Sequence, residues 1–177
     1  MKKSGYPPGG KMILYLPVTI FLLVSLLSFP FTTFAQNTDF SGTWKFNESK
    51  SIMGERGRRG TNSPMTVTQD GNVLTTERIF VSREGEEMKT TETFTLDGKE
   101  CDNSTGMRTR TTTVTWSEDG TTLTFNSVMV FNRQGETMEM KSKEIWKLSD
   151  GGKILTIDSS SQSPMGERTM TLVYEKQ

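Results

Sequence analysis

The chain has 177 residues, 21 basic against 21 acidic side chains, one cysteine and no histidine. That composition removes the commonest general base and the commonest metal ligand, and it leaves no second thiol for an intramolecular disulfide. It also lacks the basic excess that phosphate backbones demand, so nucleic acid is not an expected partner.

The first predicted element is an export signal. Lys2, Lys3 and Lys11 precede an almost uncharged run from Met12 to Ala35 that ends in Thr33-Phe34-Ala35. A positive flank, an apolar run and a small residue at the cut form the secretory pattern. Residues 1–35 are therefore read as a signal peptide, residues 36–177 as one domain, and the protein as exported, periplasmic or secreted. The apolar run approaches the ~20 residues of a membrane helix. An uncleaved N-terminal anchor is the alternative, and any membrane contact is expected through this segment alone. Cleavage removes all three leading lysines and leaves 18 basic against 21 acidic side chains.

Beyond the cut no helical periodicity is found. Segments rich in Thr, Val, Ile, Phe and Trp predict strands at 40–47, 65–70, 73–82, 87–96, 107–117, 121–132, 137–148, 153–159 and 168–176. Gly-containing turns punctuate them, among them Asp70-Gly71-Asn72, Asp97-Gly98-Lys99, Asp119-Gly120 and Asp150-Gly151-Gly152. Such pairs supply the positive φ of tight hairpins. Consecutive strands joined by tight turns are expected to be antiparallel neighbours. A flat meander would expose two edges and an apolar face, so an all-β, up-and-down barrel of 8–10 strands is expected. A two-sheet sandwich would need a crossover that the short turns do not provide. The basic, glycine-rich stretch 47–63 is read as a solvated loop, or else as a lid over one barrel mouth. Met-Gly-Glu-Arg occurs at 53–56 and 165–168 without a surrounding period, so it is no internal repeat.

Alternation assigns the inner face. It takes Met88, Thr90, Glu92, Phe94 and Leu96, then Arg108, Arg110, Thr112, Val114 and Trp116. Leu123, Phe125, Ser127, Met129 and Phe131 follow, then Met138, Met140, Ser142, Glu144, Trp146 and Leu148. The last strands add Leu155, Ile157, Met170, Leu172 and Tyr174. At 73–82 two registers compete, one turning Leu74, Thr76, Arg78 and Phe80 inward and the other Val73, Ile79 and Val81. The inner face is rich in methionine, whose flexible thioether suits irregular apolar space. It also carries charges, which are costly inside unless paired or solvated. Two readings follow: a structural Arg–Glu network, or guanidinium groups that grip the carboxylate or phosphate of an amphiphile. The candidate ligand-lining residues are Arg108, Arg110, Glu92, Glu144, Met138, Met140, Trp116 and Phe125. Cys101 is expected to be buried and inert, or to pair between chains.

Asp39-Phe40-Ser41-Gly42-Thr43-Trp44-Lys45-Phe46-Asn47, followed by Ser49-Lys50-Ser51, resembles the opening of bacterial lipocalin-like domain proteins. Its Gly-Thr-Trp is similar to the Gly-x-Trp of the first strand in the wider calycin group. Leu96–Glu100 and Val114–Gly120 resemble recurring hairpins of those proteins, so the likeness spans most of 39–176. It implies a barrel, export and small hydrophobic ligands, with no shared catalytic residues. The chain lacks the paired cysteines and the C-terminal helix of secreted animal lipocalins.

No catalytic residue, cofactor or metal is expected, and the protein is not read as an enzyme. Glu92 and Glu144 as an acid/base pair would require a separation that the sequence does not fix. Gly57-Arg58-Arg59-Gly60 lacks the strand-then-helix setting of a phosphate loop. Two functions stay open: a binder of a small hydrophobic or amphiphilic molecule in the barrel, and a ligand-free envelope or extracellular interaction module. The oligomeric state is not specified by the sequence.

Overall fold

The computed structural model describes Met1, Gly5 and residues 37–54, 63–81, 85–106, 108–133, 135–164 and 166–177. The signal segment and its cut, apart from Met1 and Gly5, lie outside the described residues, as do 55–62 of the loop. The unit Ala35–Gln177 is described here. Its described strands are β1 (Gly42–Phe46), β2 (Ile52–Met53), β3 (Met65–Asp70), β4 (Val73–Val81), β5 (Glu87–Thr95) and β6 (Glu100–Asp102), then β7 (Arg108–Trp116), β8 (Thr122–Arg133), β9 (Glu136–Ser149), β10 (Ile154–Ser163) and β11 (Gly166–Lys176). Every pairing between them is antiparallel.

Ten strands follow one another round the sheet, within the 8–10 expected, and β2 pairs with β11 off that path; two of the eleven described strands were not among the predicted segments. The additions, β2 and β6, have two and three residues, too few to show alternation. β10 runs to Ser163, past the predicted end at 159, because its hydroxyl-rich tail is paired on both sides by β9 and β11. The strand order is β5-β4-β3-β1-β11-β10-β9-β8-β7-β6. First and last long strands meet, Trp44 opposite Lys176 and Phe46 opposite Tyr174, so the meander curls round on itself.

One tight turn breaks the rule of consecutive pairing. β5 and β6 flank the Asp97-Gly98-Lys99 turn yet form the two ends of the sheet. The turn is held by neighbours instead: Leu96 N–H donates to Asn72 C=O at 2.9 Å and Gly98 N–H to Val114 C=O at 3.0 Å. The barrel is therefore nearly closed, with a seam between β5 and β6.

The stretch after β1 also departs from a free loop. Asn47 caps a 3-10 turn (Glu48–Lys50), accepting the Lys50 N–H on Oδ1 at 3.0 Å. Asn47 Nδ2 donates to Glu175 Oε1 at 2.8 Å, and Lys50 Nζ reaches the same oxygen at 3.0 Å. Ser51 Oγ accepts from Val173 N–H at 2.9 Å, and β2 then pairs with β11. Polar side chains thus fasten this excursion to the last strand.

Burial grades along the barrel. Near the turns at 71–72, 97–99, 118–121 and 150–152 the inner residues form one core of Phe40, Trp44, Leu74, Phe94, Leu96, Val114, Leu123, Trp146 and Leu155. Trp44 is fully buried, and its indole N–H donates to Phe40 C=O at 3.1 Å. Lys176, opposite Trp44 on β11, brings its Nζ 5.4 Å from the Trp44 ring centre. At the opposite end the same inner phase opens, so that Phe94 is 3% exposed but Met88, on the same face of β5, is 49% exposed. The barrel is plugged at one end and has a mouth at the other.

The ambiguous strand settles with Leu74, Thr76, Arg78 and Phe80 inward and Val73, Ile79 and Val81 exposed. Pairing decides it. The buried Met65 and Val67 stand opposite Arg78 and Thr76, and opposed residues share a face.

Candidate functional site

Between the plug and the mouth lies a cavity of about 320 Å³. Its walls are Thr76, Arg78 and Phe80 from β4, Thr90, Glu92 and Phe94 from β5, Arg108 and Arg110 from β7, Phe125 from β8, Glu144 and Trp146 from β9, Ile157 from β10 and Leu172 from β11. Seven strands contribute because each strand turns every second side chain inward. A somewhat larger concavity, about 400 Å³, lies on the outer wall over β7–β10, lined by residues such as Thr111, Asn126, Lys141 and Gln162. It gathers no aromatic ring, whereas the inner cavity gathers rings and charges together.

The apolar side is a run of aromatic contacts. Phe94 meets Phe125 edge-on at 5.3 Å between ring centres, and Phe125 meets Trp146 at 4.7 Å. Trp146 continues to Phe40 at 6.2 Å, joining the cavity floor to the plug. Such rings present large rigid apolar faces at little entropic cost.

Among the described residues, the polar side holds three guanidinium groups against two carboxylates. Arg110 Nη1 donates to Glu92 Oε1 in a mostly buried ion pair. Arg110 Nε is buried and, among the described residues, has no acceptor. Arg78 Nη1 donates to Tyr174 Oη at 2.9 Å and stacks 5.7 Å from the same ring. Trp146 Nε1 donates to Glu144 Oε2 at 3.2 Å. Among the described residues no carboxylate comes within ion-pair distance of Arg78 or Arg108. Arg108 is exposed at the mouth.

Five of the eight sequence-predicted residues meet here: Arg108, Arg110, Glu92, Glu144 and Phe125. Three do not line the cavity. Trp116 lies toward the plug, with its ring 6.0 Å from Phe40. Met138 and Met140 stand nearer the β8–β9 turn, opposite Phe131 and Met129, and half-buried. They share the inner phase of the wall but not its level, and alternation reports phase alone. Arg78, Phe80 and Trp146 line the cavity although they were not among the candidates. The signal for Arg78 and Phe80 was the register of 73–82, which needs the partner strands. Cys101 is half-buried and free, with Sγ accepting from Thr95 N–H at 3.1 Å.

No protein-family model matches the chain, and no curated protein matches it. Among solved structures the chain is similar to zebrafish ileal bile acid-binding protein complexed with cholic acid. The TM-score is 0.50 at 15% identity, and the match covers 78% of this chain and 98% of that one. The fold is a calycin-like barrel. At that identity the likeness speaks for fold alone.

Proposed function

We propose that the protein binds a small amphiphilic anion inside the barrel. The observation that carries this reading is the two-sided cavity: a wall of Phe94, Phe125 and Trp146 faces a surplus of guanidinium groups, with Arg78 and Arg108 not ion-paired to any described carboxylate. The aromatic wall takes an apolar body, and the arginines take a carboxylate or a similar head group by charge-assisted hydrogen bonds. The volume of about 320 Å³ is near the low end for small-molecule pockets, which run from about 300 to 1,000 Å³, and so favours a short amphiphile. The same fold in the zebrafish protein was solved with cholic acid, which supports the ligand class coarsely.

The rest of the proposal follows the sequence. The protein is exported on its N-terminal segment and acts by binding, not by catalysis. Calorimetric titration with decanoate and with decanol tests the ligand class. Decanoate is expected to bind more tightly, and Arg78→Ala or Arg108→Ala to weaken it by roughly ten- to a hundredfold, the scale of a lost hydrogen bond to a charged group. Equal affinity for acid and alcohol, or no binding of either, would refute the reading.

A further inference from the structure

The seam between β5 and β6 is closed by side chains. Thr93 N–H donates to Asn103 Oδ1 at 3.0 Å, and Asn103 Nδ2 donates to Thr93 C=O at 3.1 Å. The primary amide of Asn103 thus offers one acceptor and one donor to a single residue, as a paired strand residue would. Asn103 is itself fixed to β7, its N–H donating to Arg110 C=O at 2.8 Å. The Arg110 side chain then crosses the interior to Glu92, the residue next to Thr93. Glu92, Thr93, Asn103 and Arg110 form a closed circuit around the seam, with the amide pair in the wall and the ion pair behind it. Toward the plug, Cys101 Sγ accepts from Thr95 N–H at 3.1 Å. Toward the mouth, among the described residues, no further bond between β5 and β6 or β7 is found.

We propose that this circuit is a latch, and that the cavity is reached sideways through the β5–β6 seam when it opens. Along the described order β5-β4-β3-β1-β11-β10-β9-β8-β7-β6 each neighbouring pair is joined by a backbone ladder, so parting two of those strands costs several hydrogen bonds at once. At the seam, among the described residues, one asparagine amide, two contacts of one thiol and one ion pair hold the wall. Local opening follows the least-bonded boundary. Behind that boundary lie Glu92 and Arg110, both cavity-lining, so an opened seam exposes the polar side of the cavity directly. An anion that takes Arg110 competes with Glu92 and withdraws the inner half of the latch. The role in access rests on the binding reading above; the latch itself does not.

Amide exchange on the ligand-free protein tests the latch alone. The Thr93 and Thr95 amides are expected to exchange through local opening, faster than ladder amides such as Phe125. Asn103→Ala should speed Thr93 by about tenfold or more, the scale of two lost hydrogen bonds, without moving Phe125. Asn103→Asp, which keeps the acceptor and loses the donor, should fall between. Exchange of Thr93 at the global unfolding rate, or no response to Asn103→Ala, overturns the latch.

Thr95→Cys tests access, because Thr95 Oγ1 lies 3.4 Å from Cys101 Sγ. Oxidation should form a disulfide across the seam and slow stopped-flow uptake of 1-anilinonaphthalene-8-sulfonate by about tenfold or more, as locking a gating segment does. Equilibrium affinity should hold, and reduction should restore the rate. A formed disulfide with unchanged uptake overturns sideways access, and a thiol pair that cannot be oxidised contradicts the seam geometry and overturns the latch. If wild-type protein binds neither the dye nor decanoate, the binding reading fails and takes sideways access with it, while the exchange data still judge the latch.

Discussion

Thr112 and Ser127 show how much a single inward hydroxyl needs its partner. They face each other on β7 and β8, 1% and 6% exposed, with their oxygens 2.8 Å apart. Thr112→Val keeps the shape but strands the Ser127 hydroxyl, and should cost about 1–3 kcal/mol. The double variant with Ser127→Ala should recover part of that loss, so a double-mutant cycle from urea unfolding curves reads the coupling directly. Simple additivity would show that the pair is not bonded in solution. Asp97 makes the matching case at the surface. Hydrogen bonds from Lys99 and then Thr95 lower its carboxyl from 3.8 to about 2. A depressed folded value means that the stabilisation is present above about pH 4 and is lost as the pH falls through about 2. Asp97→Asn should therefore be less stable than wild type at pH 6, with the gap closing as the pH falls below about 2. A gap of undiminished size well below pH 2 would assign the effect to something other than the charge.

At the scale of elements, turn chemistry and strand pairing divide the work. The turn between β7 and β8 places Gly120 at φ 66°, where it accepts the Thr38 N–H at 2.9 Å. A Cβ there would stand 2.6 Å from Asn37 Oδ1, so the glycine serves both the left-handed conformation and the docking of the segment before β1. Gly120→Ala is expected to destabilise by about 1–2 kcal/mol, measured as a shift in denaturation midpoint. Gly71→Ala, also at positive φ but with nothing within 4 Å, carries the conformational part alone and should cost less. Equal losses at the two sites would mean that the Asn37 contact contributes nothing. Both turns were legible as Asp-Gly pairs, because the requirement for positive φ is local. The β5–β6 turn was equally legible, yet its strands do not pair. That outcome depends on Asn72 and Val114, which are distant in sequence.

At the scale of the molecule, closure unites the core. Trp44, Trp116 and Trp146 all belong to, or pack on, one cluster that the β1–β11 pairing completes. Unfolding followed by tryptophan fluorescence and by far-ultraviolet circular dichroism should give coincident transitions, as a single cooperative unit requires. Separate midpoints would show that the plug and the mouth unfold independently. The sequence by itself determined the all-β class, nine of the strands, the turns and most inner faces, because alternation and turn residues act over a few neighbours. It also supplied Arg108, Arg110, Glu92, Glu144 and Phe125. Only the tertiary structure decided the rest. The register of β4, and with it Arg78, was fixed by β3. The level of Met138, Met140 and Trp116 along the barrel depended on where plug gives way to cavity. The seam, where Asn103 stands in for a strand, arose because the last strand returned to the first and left β5 and β6 each paired on one edge, to β4 and to β7, with no ladder between them.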